Sequence, residues 1–151
     1  PISNGGNQIN VWRTLTIDEW AYLFDSRSTN SGIRFAKAQV VGVNGVVLLP
    51  DTWDNTNHSF NSFNQKGASF RSNVIDSVQW GTLQETGAVF LPITGFRRGL
   101  SVYHVTSMGL YWSSTRGVDM GFDNIGISTS TNSNHGNRSY GYAVRLICPA
   151  K

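Results

Sequence analysis

The sequence predicts an α+β domain, with two short helices packed on a mostly antiparallel sheet and long loops between them. Two observations predict it. Helical signatures occur twice, both early and both short. Short β-rich runs bounded by Gly and polar turn residues fill most of the rest, without the strand and long-helix alternation of a doubly wound sheet. The 151 residues suit one domain with a real core, spanning 1–151.

"WRTLTIDEWAYLFDSR" opens the first clear element. Thr16 followed by Glu19 is a capping box, and Trp20, Leu23 and Phe24 recur at helical spacing, so a helix is expected over 17–25. "GIRFAKAQVVGVNGVVLLP" reads as a hairpin with one buried arm and its turn at "GVNG". Residues 53–73 are rich in Asn and Ser and read as a long excursion with little regular structure. In "DSVQWGTLQETG" Asp76 caps, Gln79 closes the box, Val78 and Leu83 face inward and Gly87 ends the helix. "AVFLPITGFR" is a buried strand and a Gly turn, and "SVYHV" alternates. "GLYWSS" is another strand, 118–127 alternates as if bulged, and "YGYAVRLIC" closes the chain as an alternating core strand. There is no internal repeat.

Composition narrows the function classes. The formal net charge is only +3 and charged residues make up 14%. The arginines are scattered, and the one pair, Arg97-Arg98, reads as a strand end, so a nucleic-acid face is not expected. The chain opens on Pro1 rather than Met, as a processed product would. Nothing in residues 1–10 resembles a signal peptide, and no apolar run reaches membrane-spanning length. A single cysteine, Cys148, rules out an internal disulfide and a Cys-based metal site, and inside "VRLIC" it reads as a small core hydrophobe.

Catalytic patterns are missing. His58, His104 and His135 fall in no ligand spacing; His104 reads as a structural imidazole in a strand, the other two as solvated loop residues. Asp18, Glu19 and Asp76 have capping or helix-dipole duties. Asp119 and Asp123 lie near each other on the bulged strand, either exposed or placed to hold a cation or a ligand hydroxyl. There is no G-x-S-x-G, P-loop or dinucleotide fingerprint. No enzymatic activity, cofactor or metal is expected.

The tract from 116 to 143 is different in kind. It contains Asn, Ser, Thr, Gly, Asp, His, Arg, Tyr, Val, Ile, Phe and Ala plus one Met, and no Lys, Glu, Gln or Trp. Tyr brings large contact area at low entropic cost, and small polar residues adapt their hydrogen bonds. Composition alone allows two readings, a recognition surface or an ordinary Ser/Asn loop.

Five anchors occur in order: "VWRTLTIDEWAYLF", "AKAQVVGVNGVVLLPDTW", "GAVFLPITGFR", "GLYWSST" and "YGYAVRLI". Over nearly the whole chain they resemble the Fibrobacter-type major paralogous domain family of gut Bacteroidales and Fibrobacter surface proteins. That family is similar to the C-type lectin-like fold, in the branch of formylglycine-generating enzymes. The resemblance implies a fold rather than that chemistry, since the enzymes use a cysteine pair and this chain has one cysteine. It also lacks the E-P-N, Q-P-D and W-N-D motifs of calcium-dependent sugar binding, and "WDN" at 53–55 has another order and place.

The same branch includes variable proteins of diversity-generating retroelements, whose variable segment lies between a "YWSS"-like and a "VRL"-like strand. Adenine mutagenesis of AAY codons cannot yield Lys, Glu, Gln, Met or Trp. Residues 116–143 obey that rule except at Met120, which is then expected to be a fixed scaffold residue alternating with Val118 and Phe122. Family members usually carry a first strand pairing with the last; here residues 8–12 are expected to supply it, or the partner is missing.

The resemblance implies a non-enzymatic ligand-binding domain, at a cell surface, outside the cell or on a phage particle. Its expected partner is a protein or glycan on another cell or host, without nucleic acid or membrane insertion. The expected contact face is Trp112, Ser114, Arg116, Asp119, Asp123, Asn124, Asn132, Asn134, His135, Asn137, Arg138, Tyr140 and Tyr142. Trp112 and the tyrosines act as anchors and Arg116 and Arg138 as polar clamps. Leu110, Val144, Leu146 and Cys148 are expected to tie the segment down, with Arg145 a structural partner of buried acceptors. Two rivals stand: an invariant surface module of the same fold, and a degenerate relative of the formylglycine-generating enzymes with copper- or thiol-dependent chemistry at Cys148.

Overall fold

The computed structural model describes residues 12–56, 58–115, 119–123, 126–129 and 139–148. In chain order these form β1 (Arg13–Thr14), α1 (Ile17–Ala21), β2 (Phe35–Val40), β3 (Val43–Leu48), β4 (Val74–Ile75), α2 (Ser77–Glu85) and β5 (Val89–Pro92). There follow β6 (Phe96–Arg98), β7 (Ser101–Tyr103), β8 (Met108–Trp112), β9 (Asp119–Asp123), β10 (Ile127–Ser128), β11 (Tyr140–Gly141) and β12 (Leu146–Ile147). The architecture is mixed α+β, with two short helices and four small sheets in the orders β4-β2-β3-β5, β10-β9-β8, β11-β6-β7 and β1-β12. Among the described strands only β2 and β4 pair in parallel.

α1 begins where the capping box puts it. The Thr16 hydroxyl accepts the Glu19 amide at 3.1 Å and the Glu19 carboxylate accepts the Thr16 amide at 2.8 Å. Two of the helix's orphan donors are thereby satisfied. Past Ala21 the helix widens into a π turn over Tyr22–Ser26, and Phe24 in that turn is fully buried. Its ring meets Trp20 at 6.4 Å and Phe35 at 5.1 Å.

The β2–β3 hairpin turns at Val41–Gly42, both with positive φ (47° and 82°), as a two-residue primed turn requires. The expected turn at "GVNG" is therefore displaced, and Val43, Asn44 and Gly45 belong to β3. Gly45 marks a close approach instead: a Cβ there would sit 2.4 Å from the Phe90 ring and the Leu91 carbonyl. Both arms are buried, against the expectation of one. On one face Phe35 and Val46 pack with Trp20, Phe24, Tyr111 and Met120. On the other Ala36, Ala38 and Val47 pack with Trp53, Phe60 and Leu83. The sheet thus carries a hydrophobic layer on each side, and a strand covered on both faces loses the alternation that would reveal it.

α2 has its own box, with Asp76 accepting the Val78 and Gln79 amides. Leu83 faces the core as expected, but Val78 is 78% exposed, as are Ser77 and Gln79 beside it in the helix's first turn. The excursion over 53–73 contains a single 3-10 turn, Phe70–Ser72. Asparagines staple it down. The Asn73 amide donates to the carbonyls of Lys37 (2.8 Å) and Ser62 (2.7 Å), and Asn64 bridges the Arg34 amide and the Gly32 carbonyl. The "WDN" stretch is part of that packing, since buried Trp53 donates its indole N–H to Asn55. His58 is half-buried, edge-on to Phe60 at 4.7 Å, and burial lowers its pKa.

The expected bulged strand over 118–127 is instead a hairpin. β9 pairs β8 on one side and turns back into β10 on the other. Met120 is fully buried, as its scaffold role requires. His104 is not in a strand: it follows β7 with φ 56°, exposed. The closing run is not one strand either. Tyr140–Gly141 pair β6, Ala143 bridges Tyr111, and Leu146–Ile147 pair β1. Val144 and Cys148 are consequently exposed, not core. The strand partner expected at 8–12 is supplied by Arg13–Thr14, and residues 8–11 lie outside the described residues.

Candidate functional site

The site is built on the β11-β6-β7 sheet and the exit of β8. Gly95 makes it possible. Its φ is 62°, and a Cβ there would lie 2.4 Å from the Tyr103 carbonyl. The chain can therefore turn from β5 into β6 while its amide donates to the Met108 carbonyl at 2.8 Å. That bond fixes the small sheet against β8.

Register then lines up the rings. Phe96 lies opposite Tyr103, and Tyr140 lies opposite Arg98, so Tyr140 is the diagonal neighbour of Phe96. The Phe96 ring is 5.5 Å from Tyr103 and 5.5 Å from Tyr140, with planes within 26° of it in both pairs. His104 stacks on the same ring at 5.8 Å. Tyr142 meets Phe96 edge-on and joins it to Trp112 at 4.6 Å. The Arg98 guanidinium lies over the Tyr140 ring at 5.5 Å. The result is a row of nearly coplanar rings, half-buried or exposed, bordered by a cation. Beyond it the β6–β7 turn exposes Leu100, and Val102 is exposed on β7 opposite Arg97.

Of the thirteen expected contact residues, three come together here: Trp112, Tyr140 and Tyr142. Tyr142 is nearly buried, and burial with the nearby Asp119 carboxylate pushes its hydroxyl pKa up to about 12, so it stays a neutral donor. Ser114 is exposed but set apart from the rings, its amide bound to the Leu15 carbonyl. Arg116, Asn124, Asn132, Asn134, His135, Asn137 and Arg138 lie outside the described residues.

The two aspartates need correction. Asp119 is 3% exposed, because β9 is covered on both faces, and so it offers no surface to a ligand. Asp123 lies at the other end of the strand, opposite Met108 whereas Asp119 is opposite Trp112. Four residues of extended chain separate them, about 13 Å. The Asp123 carboxylate accepts the Gly126 amide and its carbonyl accepts from Lys37, both scaffold duties. The described residues hold no group of three or more His, Cys, Asp or Glu arranged to bind a metal. Arg145 is exposed beside Tyr111, not enclosed with a buried acceptor.

Phe96, Arg98, Tyr103 and His104 were missed in the sequence. One signal was present: in "GFRRGLSVYHV" Phe96 and Arg98 sit two residues apart, on one face of a strand, just before a Gly turn that leads to Tyr103. No helix of the described residues is long and apolar enough to cross a membrane. Comparison with known proteins leaves the surface to speak for itself: no family model matches the chain, and no match was found among the curated proteins or among the solved structures.

Proposed function

We infer that this chain is a non-enzymatic binding domain with a C-type lectin-like fold, and that the ring row on β6, β7 and β11 belongs to its contact face. The observation that carries the inference is the meeting of half-buried Trp112, Phe96 and Tyr140 with exposed Tyr103 and Arg98, all gathered around the nearly buried Tyr142. Aromatic anchors beside an Arg are the residue types that dominate binding energy at interfaces. Flat rings also take the apolar faces of sugars, so the ligand is a protein or a glycan displayed on another cell or host.

The tract from 116 to 143 ends in this surface, since Tyr140 and Tyr142 lie at its close. A diversity-generating retroelement variable protein has this layout: rigid anchors at both ends and exchangeable side chains between. Exposed substitutions usually cost little stability, so a tract clamped at its ends can vary while the fold persists. Placement in the Fibrobacter-type domain family and location at a cell surface or on a phage particle belong to the same proposal.

Sequencing the 3′ end of the gene across a natural population tests it. Substitution confined to template-adenine positions between 116 and 142, with "YWSS" and "VRL" constant, supports a diversified binder. A uniform tract would leave an invariant module of the same fold. Thiol labelling does not separate the enzyme rival, because the exposed Cys148 will react quickly whatever the function.

A further inference from the structure

The ring row carries positive charge that no nearby acid offsets. Arg97 and Arg98 end β6, and both are exposed. From residue 86 to residue 151 the sequence holds only two acids, Asp119 and Asp123. Asp119 is buried, and the Asp123 carboxylate accepts the Gly126 amide at the other end of β9. Among the described residues no ion pair involves Arg97 or Arg98.

The two arginines belong to opposite faces of the small sheet. Arg97 lies opposite Val102 and Gly141, on the face away from the rings, and its Nε donates to the Gly99 carbonyl at 2.8 Å. Arg98 shares the ring face with Phe96, two residues before it, and lies opposite Ser101 on β7 and Tyr140 on β11. Its guanidinium rests over the Tyr140 ring. Among the described residues neither that guanidinium nor the exposed Ser101 hydroxyl makes a hydrogen bond. A planar fork held against a ring is already arranged to take a carboxylate by two parallel bonds. Tyr103 is the diagonal neighbour of Arg98 on the same face, about 7–8 Å away by sheet geometry. Its ring is 43% exposed and packs against Phe96 alone among the described rings.

β6, β7 and β11 have three, three and two residues, a small platform beside the roughly 20–30 residues that a standard protein interface takes from each side. It matches the scale of a sugar unit. We propose that the ring row binds a hexuronic acid unit of a glycan. The pyranose lies against Tyr103, and its carboxylate accepts from the Arg98 guanidinium and the Ser101 hydroxyl. In a hexuronic acid the carboxyl projects equatorially, close to the plane of the sugar ring, so a unit seated on Tyr103 extends it along the sheet face to Arg98. The proposal rests on the reading of the ring row as a contact face and adds what that face selects, a negative charge beside the apolar side of a sugar.

The test is a calorimetric titration of the full chain with galacturonic acid hexamers and with hyaluronan hexasaccharides, each against its carboxyl-reduced form. The expected result is saturable binding of at least one of the acids, about tenfold or more tighter than its reduced form. Arg98→Gln should erase that preference, whereas Arg97→Gln, on the other face, should change the Kd less than about twofold. Tyr103→Ala should weaken the acid and its reduced form alike. Both arginines are exposed, so both Gln variants keep the fold. An acid bound no tighter than its reduced form, with both weakened by Tyr103→Ala, overturns the proposal and leaves the ring row standing. Equal losses from Arg97→Gln and Arg98→Gln overturn it as well, because binding would then be general attraction to positive charge. So does the absence of binding by both acids at several millimolar. A loss with Arg98→Gln and none with Tyr103→Ala would remove the ring row, and the proposal with it.

Discussion

The rings of Trp112 and Tyr142 lie 4.6 Å apart, and backbone bonds from Trp112 to Ala143 and from Ala143 to Leu110, both 2.9 Å, lock the strands beside them. The end of the 116–143 tract, at Tyr142 and Ala143, is thus clamped to β8, the strand that precedes its start. Trp112→Ala should therefore lower stability by about 2 kcal/mol, the order expected for losing a half-buried aromatic contact. Urea unfolding would show it. A change within a few tenths would mean that the clamp rests on the backbone alone.

Tyr140 differs, because its ring stands at the surface. Tyr140→Ala together with Tyr103→Ala should leave the urea midpoint nearly unchanged and weaken binding to immobilised glycans or whole cells at least about tenfold. Equal retention of the double variant and the parent would remove the ring row from the contact face.

Burial divides the tract into permitted and forbidden positions. Asp119, Met120, Phe122 and Ile127 are 3%, 0%, 2% and 6% exposed. Natural variants should hold these four constant while positions around 130–140 vary. A population in which Asp119 varies as freely as its neighbours would contradict the buried placement of β9.

Glu19 sets part of the acid response. The Arg13 fork and the Thr16 amide hold its carboxyl down to about 2. A depressed folded-state pKa contributes stability that is complete above the ordinary value near 4.5 and is lost as the pH falls toward 2. The pair is well exposed, with side-chain accessibilities of 51% and 37%, so solvent screening keeps its contribution small. Glu19→Gln should flatten the stability profile between about pH 4.5 and 2, measured by urea midpoints. An unchanged acid limb would show that other carboxylates control it.

Gly95→Ala should be far more damaging than its size suggests. A positive φ and a Cβ at 2.4 Å from backbone leave no easy relaxation, and a loss of about 2 kcal/mol or more is expected. The ring row should be disturbed as well, visible as a change in the near-ultraviolet circular dichroism. A neutral effect would mean that the β5–β6 turn tolerates rearrangement.

How much of this was legible in the chain depended on distance. Both capping boxes were, because Thr16 to Glu19 and Asp76 to Gln79 are contacts three residues apart and the chemistry is local. The hairpin was legible, but its turn was not: Gly45 looks like a turn glycine and is in fact a contact with Phe90 from another strand. Val78 and Asp119 went wrong for a related reason, since their exposure is decided by elements remote in sequence. The candidate face divides in the same way. Tyr140 and Tyr142 were named for their residue type, whereas Phe96 and Arg98 enter only through the pairing of β6 with β11.

The final stretch from Tyr140 to Ile147 joins three separate parts of the chain, β6, Tyr111 and β1. During synthesis those partners emerge well before it. β2, β3, β5 and α2 all lie before residue 93, although one face of their sheet is completed by Tyr111, Met120 and Phe122 from later strands. The long-range closure comes last, and such non-local pairing is the slow part of folding. Substitution at the exposed positions just upstream leaves these three contacts of the closing stretch in place.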